Sequence, residues 1–129
     1  MTAPEIILAS ASPRRSELLR AIAIDFRVIA ADVDEAILKN ETGPELVYRL
    51  SQLKARAIAK DSPNALVIAA DTVVVLDNKI LEKPKDSSQN AKFIEQLANK
   101  VHQVYTGHSI IYKDKIISKT VKTDVYLEI

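Results

Sequence analysis

Ala65-Leu-Val-Ile-Ala-Ala-Asp-Thr-Val-Val-Val-Leu76 is almost wholly apolar apart from Asp71 and Thr72. Asp61-Ser-Pro-Asn64 stops the chain ahead of it and Asp77-Asn78 turns it behind, so the run predicts a central strand buried on both faces. Such strands belong to sheets covered by helices, and the neighbouring sequence supplies them. Upstream, Lys39 to Gly43 reads as a loop. Pro44 then starts a helix to about Lys60, with Leu46, Val47, Leu50, Leu53, Ala57 and Ile58 on its apolar side. Further back lie a strand over Asp25–Ala30, a helix over Arg14–Ala23 and a short strand over Ile6–Ala9. Downstream, Lys79-Ile-Leu81 returns, and Ser87 or Ser88 caps a helix to about Asn99. Two long β runs, Val101–Tyr112 and Lys115–Ile129, meet in a hairpin at Lys113-Asp114. The pattern predicts one α/β domain over 1–129, with a mixed twisted sheet, parallel early and antiparallel late, and helices packed on it.

Composition narrows the class. The 129 residues are 47% hydrophobic and 27% charged, a balance typical of a soluble folded domain. A net charge of +1 gives no general surface for nucleic acid or membrane, so neither is expected as a partner. With no cysteine, disulfides, thiolate catalysis and cysteine-bound zinc are excluded. Pro4 and Glu5 precede only a very short apolar run, which fits neither a signal peptide nor a membrane span; a cytoplasmic location is the default expectation. Gly43 and Gly107 are the only glycines, too few for a glycine-rich phosphate loop. Any phosphate must therefore be held by side chains and a helix end.

The first forty residues offer such a site. Leu8-Ala-Ser-Ala-Ser-Pro-Arg-Arg-Ser-Glu-Leu-Leu19 passes from strand to serine-rich turn to helix. Ser12 suits the N-cap and Pro13 the first helical turn. Free N–H groups and the helix dipole favour an anion there, and Arg14 and Arg15 add guanidinium forks that match phosphate oxygens. The alternative is an ordinary capped helix with solvated arginines. Asp71 is the second candidate, because a carboxylate inside the central strand is costly unless paired. A metal ion, a lysine or arginine, or a shared proton would compensate it; a structural ion pair is the plainer alternative. Glu82 and Lys83 return close to Asp71 after the turn, and Asp32, Asp34 and Glu35 are placed to add carboxylates at the same sheet edge, or to form a solvated loop. Carboxylates, lysines and an arginine pair together suit Mg²⁺-assisted phosphoryl chemistry. His102 and His108 fall on one face of their strand but make no metal site alone.

Five segments carry a family resemblance: LASASPRRSELL at Leu8–Leu19, DVDE at Asp32–Glu35, LKARAIA at Leu53–Ala59, AADTVV at Ala69–Val74 and LEKPKD at Leu81–Asp86. They resemble, in order and spacing, the Maf family of septum-formation inhibitor-like proteins, which are nucleoside triphosphate pyrophosphatases with a Maf/ITPase-like α/β fold. VHQVYTGHSI, from Val101, also fits.

The resemblance implies hydrolysis between the α and β phosphates of a nucleoside triphosphate, giving the monophosphate and pyrophosphate. It implies Asp71 as the general base and, with Glu35, the holder of Mg²⁺ or another divalent ion such as Mn²⁺. Lys54 and Lys83 would neutralise the triphosphate, and Ser10 and Arg15 would bind phosphate. Arg14 after the proline and Thr72 after the aspartate resemble the dTTP/UTP branch. Members of the family usually run on past the equivalent of Ile129, so the resemblance implies a C-terminally short domain with an open base side and a bare sheet face. A homodimer through the last strand or that face is the expected remedy. A nucleotide-binding module without turnover and a truncated structural, dimerising protein are the rival readings.

Overall fold

The computed structural model describes residues 3–22 and 25–129. In chain order the elements are β1 (Ile6–Leu8), α1 (Pro13–Ala21), β2 (Arg27–Val28), α2 (Gly43–Ala59), β3 (Leu66–Leu76), β4 (Lys79–Leu81), α3 (Ser87–Leu97), β5 (Val101–Tyr112) and β6 (Lys115–Tyr126). They form one sheet in the order β2-β1-β3-β5-β6, with β4 also paired to β3. β1 runs parallel to β2 and β3, while β3, β5 and β6 run antiparallel in sequence. The expected mixed sheet is therefore present, with β3 at its centre.

Local chemistry explains the boundaries. Ser12 caps α1, its hydroxyl accepting from the Arg15 amide, with Pro13 in the first turn. The expected end of α1 at Ala23 lies outside the described residues. Thr42, rather than the loop before Pro44, sets the start of α2: Thr42 and Glu45 form a reciprocal capping box. Asp86 caps α3 in place of the expected Ser87 or Ser88, accepting from the Gln89 amide at 2.8 Å. Asp77 and Asn78 both take positive φ, the conformation that a two-residue hairpin matched to strand twist demands. The strand expected over Asp25–Ala30 is only Arg27–Val28, because it is an edge strand paired with the short β1 alone.

α2 covers one face of the sheet, and small residues let it lie close. Ser51 and Ala55 on the helix meet Ala69 on β3 and Ser109 on β5, all fully buried. Ser51 and Ser109 share a hydrogen bond of 2.7 Å, and Ser109 shares another of 2.8 Å with Ser118 on β6. Ile7, Val67 and Ile111 complete the core, flanked by Ile58 and Ile116. Leu53, expected on the apolar side, is instead exposed; Ser51 and Ala55 take the buried positions. On the opposite face Ile110 of β5 pairs with Ile117 of β6, and both are exposed, as are Val121, Leu18 on α1 and Ile22 just after it.

Candidate active site

β3 is longer than its neighbours along one edge. β1 pairs with Leu66 to Ile68 and β4 with Val74 to Leu76, so residues 69–73 have only β5 beside them. This break opens a crevice beyond the C-terminal end of β1, where open α/β sheets hold their ligands. Asp71 and Thr72 sit in the break, and the strand pleat sends them to opposite faces.

Asp71 is buried and faces α2. Its Oδ1 accepts from Lys54 Nζ at 2.8 Å, and the same ammonium meets Glu35 Oε1 at 2.9 Å. Lys54 reaches the crevice because Leu46, Leu50 and Lys54 follow at four-residue spacing, one stripe along α2. Burial works against the Lys54 charge, but hydrogen bonds to Asp71 and then Glu35 outweigh it and hold Lys54 above the ordinary lysine range. The buried carboxylate is therefore compensated by a lysine, one of the partners that the sequence allowed.

Thr72 faces α1. Arg15 Nη2 donates to Thr72 Oγ1 at 2.7 Å, and Nη1 to Ser10 Oγ at 3.4 Å. Ser10 Oγ also accepts from the Ser12 amide, which ties the serine turn together. Thr106 on β5, directly opposite Thr72, shares a hydrogen bond with it at 3.0 Å. Arg15 is thus fixed by hydroxyls, with no carboxylate partner among the described residues. That leaves a guanidinium charge available to an anion.

Arg15, Glu35, Lys54, Asp71, Thr72, Glu82 and Lys83 line one cavity of about 440 Å³. A second, more polar cavity on the serine-turn side brings Ser10 and Ser12 together with Arg15, Glu35, Lys54 and Lys83.

The described chain matches the Maf-like protein family over residues 5–128. The chain belongs to the Maf-like family. It is similar to the dTTP/UTP pyrophosphatase of Geotalea uraniireducens, 43% identical over 125 residues, covering 95% of this chain and 64% of that protein. It is likewise 48% identical to the dTTP/UTP pyrophosphatase of Deinococcus radiodurans, covering 96% of this chain and 63% of that protein. The chain thus spans under two thirds of the length of these relatives. Among solved structures, the Ham1 protein of Staphylococcus aureus superposes with a TM-score of 0.61 at 25% identity, covering 94% of this chain and 69% of that one. A HAM1 protein from Coxiella burnetii gives 0.61 at 15% identity, covering 95% and 72%. These neighbours share the mixed sheet with helices packed on it.

The positions that Maf-like resemblance singled out divide in the structure. Ser10, Arg15, Glu35, Lys54, Asp71, Thr72 and Lys83 converge on the crevice, Lys83 as an exposed side chain without an ion pair among the described residues. Arg14 does not: it is exposed and lines an adjoining, largely apolar hollow with Leu18 and His108, which meets the crevice at Arg15 and Thr72. Of the three acidic residues read as either sheet-edge carboxylates or a solvated loop, Glu35 reaches Lys54 and the other two take the solvated alternative. Asp32 and Asp34 are exposed, and Asp34 Oδ1 instead accepts from the Ala36 amide, closing a local turn. Thr106 was missed, because the register between β3 and β5, which β4 and α3 separate in the chain, is set only in the folded sheet.

The donors suit a divalent ion only in a limited sense. Among the described residues no three His, Cys, Asp or Glu side chains gather to form a cage. Glu35 and Asp71 converge on one cation, Lys54, which fits an ion held by one or two carboxylates and completed by substrate phosphates.

His108 offers a reporter for this region. Burial pushes its imidazole below the ordinary histidine value, and the Arg15 and Lys119 charges push the same way. The folded chain therefore holds His108 neutral where the unfolded chain would bind a proton. Stability falls as pH drops from the ordinary histidine value towards the lowered one. Pyrophosphate bound at Arg15 is expected to raise the His108 titration point, and Arg15→Ala to raise it in the free protein and abolish the response. Imidazole NMR titration checks this; an unchanged His108 on saturation with pyrophosphate would place the anion elsewhere.

Proposed function

We propose that the chain is a nucleoside triphosphate pyrophosphatase acting on dTTP and UTP, releasing the monophosphate and pyrophosphate. The observation that carries this reading is Lys54 held between Asp71 and Glu35 in a crevice that Arg15 and Lys83 also line. The relatives' names support the reaction and its substrates, and Arg14 and Thr72 support the same branch through their resemblance.

Hydrolysis of a phosphoanhydride is mainly a matter of placing water and stabilising charge. Asp71 is the general base: Lys54 occupies Oδ1, leaving Oδ2 to accept a proton from the attacking water. Arg15, fixed by Ser10 and Thr72, binds phosphate oxygens, and the positive end of the α1 dipole lies beside it. Lys54 and Lys83 offset negative charge as the pyrophosphate leaves. A Mg²⁺ or Mn²⁺ ion, when bound by Glu35 and Asp71, supplies further charge neutralisation at the phosphates. No helix among the described residues is long and apolar enough to cross a membrane, in keeping with a cytoplasmic enzyme of nucleotide metabolism.

Release of thymidylate and pyrophosphate from dTTP with Mg²⁺ is the deciding assay. A thermal shift by dTTP without product would instead select the binding module.

A homodimer belongs to the same proposal. Ile110, Ile117, Val121, Leu18 and Ile22 expose apolar surface on one side of the sheet, and burying such a face in a second copy is favourable. Light scattering is expected to find a dimer; a monomer at all concentrations, with no dye-accessible apolar patch, would remove it.

A further inference from the structure

Glu35 meets Lys54 from a segment, residues 29–42, that contains no helix or strand. An exposed carboxylate on irregular backbone is placed only as well as that backbone is held. One side chain of α2 does the holding. Arg49 Nε donates to Glu41 Oε2 at 2.7 Å, and Arg49 Nη2 donates to Glu41 Oε1 at 2.8 Å and to the Ala36 carbonyl at 2.9 Å. Glu41 Oε1 also accepts from the Leu38 amide at 3.0 Å. The Glu41 side chain is only 7% exposed and that of Arg49 27%, and the fork makes charge-assisted bonds in fixed directions. Ala36 follows Glu35 directly, and Arg49 lies on the same helix as Lys54.

We infer that Arg49 is a positioning residue: its guanidinium clamps Glu41 and the Ala36 carbonyl to α2, so that Glu35 arrives at Lys54. The helix that carries the lysine thereby also fixes the segment carrying the lysine's second partner. A lysine at this position would keep the charge but could not make all three bonds in one plane. The effect on turnover rests on the proposed pyrophosphatase activity; the clamping of the segment does not.

The test uses Arg49→Ala, Glu35→Ala and the double variant, with dTTP turnover and amide hydrogen exchange over residues 36–41 as readouts. Arg49→Ala is expected to lower kcat by about tenfold to a hundredfold, the scale of a misplaced group, and to release protection at the Leu38 amide. Because Arg49 acts through Glu35, adding Arg49→Ala to Glu35→Ala should change kcat by no more than about twofold. Losses that multiply in the double variant would mean a general structural role and overturn the inference. So would wild-type turnover in Arg49→Ala, or unchanged exchange at Leu38. If the wild type turns over no dTTP, the proposed reaction fails and exchange alone decides the clamp. Where Arg49→Ala does not fold, Arg49→Lys is read in the same way.

Discussion

Asp71→Asn is expected to reduce dTTP turnover by about 10²–10⁴, the usual contribution of a positioned base. At room temperature that is roughly 3–5 kcal/mol of barrier. The amide has the shape of the carboxylate and still offers an oxygen to Lys54 Nζ, now 2.8 Å from Asp71 Oδ1. It cannot take a proton from water, and it binds a divalent ion far more weakly. The fold should survive, since Lys54 keeps Glu35 at 2.9 Å and the charge is not stranded. Circular dichroism would then show a native spectrum and cooperative melting beside a collapsed kcat. An Asp71→Asn protein that hydrolyses dTTP at near wild-type rate would remove Asp71 as the base, whatever its stability.

What the sequence disclosed followed the range of the interactions. β3, β5 and the two hairpins were legible because alternating or continuous apolar runs end at turn residues, and those signals are local. The capped start of α1 was legible for the same reason, with Ser12, Pro13 and Arg15 all within one turn. The pairing of Lys54 with Asp71 and of Arg15 with Thr72 spans two elements each, and no periodicity reports it. Family motifs named those residues, but only the folded sheet shows why they meet: β1 and β4 leave residues 69–73 open on one edge. Asp32 and Asp34 took the solvated alternative, and a run of acids on an irregular segment does not reveal which side chain turns inward. The Arg49–Glu41 clamp that decides it joins a loop to a helix face eight residues on. The buried serines of α2 and β5 were equally hidden, since polar residues on a helix read as its solvent side.

Gly107 carries the other large effect, and it joins stability to the site. It lies directly opposite Asp71 in the β3–β5 pairing, on the face that α2 covers. A Cβ at Gly107 would overlap the Val47 carbonyl and stand 2.9 Å from the Tyr48 amide nitrogen. Those are backbone atoms inside α2, so no side chain can turn aside to make room. Its φ is not positive, so the requirement is for space and not for conformation. Gly107→Ala must push α2 away from the sheet and stretch the Ser51–Ser109 hydrogen bond, now 2.7 Å. The expected cost is about 3 kcal/mol, the upper part of the usual range for overpacking. Gly43 supplies the contrast. A Cβ there would approach Val75 Cγ2 at 2.6 Å, a side-chain methyl and not backbone, so a local shift of Val75 relieves it, at the first turn of a helix where alanine is favoured. Urea unfolding should therefore place Gly107→Ala well below Gly43→Ala in midpoint. Turnover should fall with it, because the helix that lifts from Gly107 also carries Lys54 away from Asp71. Equal midpoints for the two variants would mean that α2 can shift at little cost, and that its close seat on the sheet is not what brings Lys54 to the carboxylate.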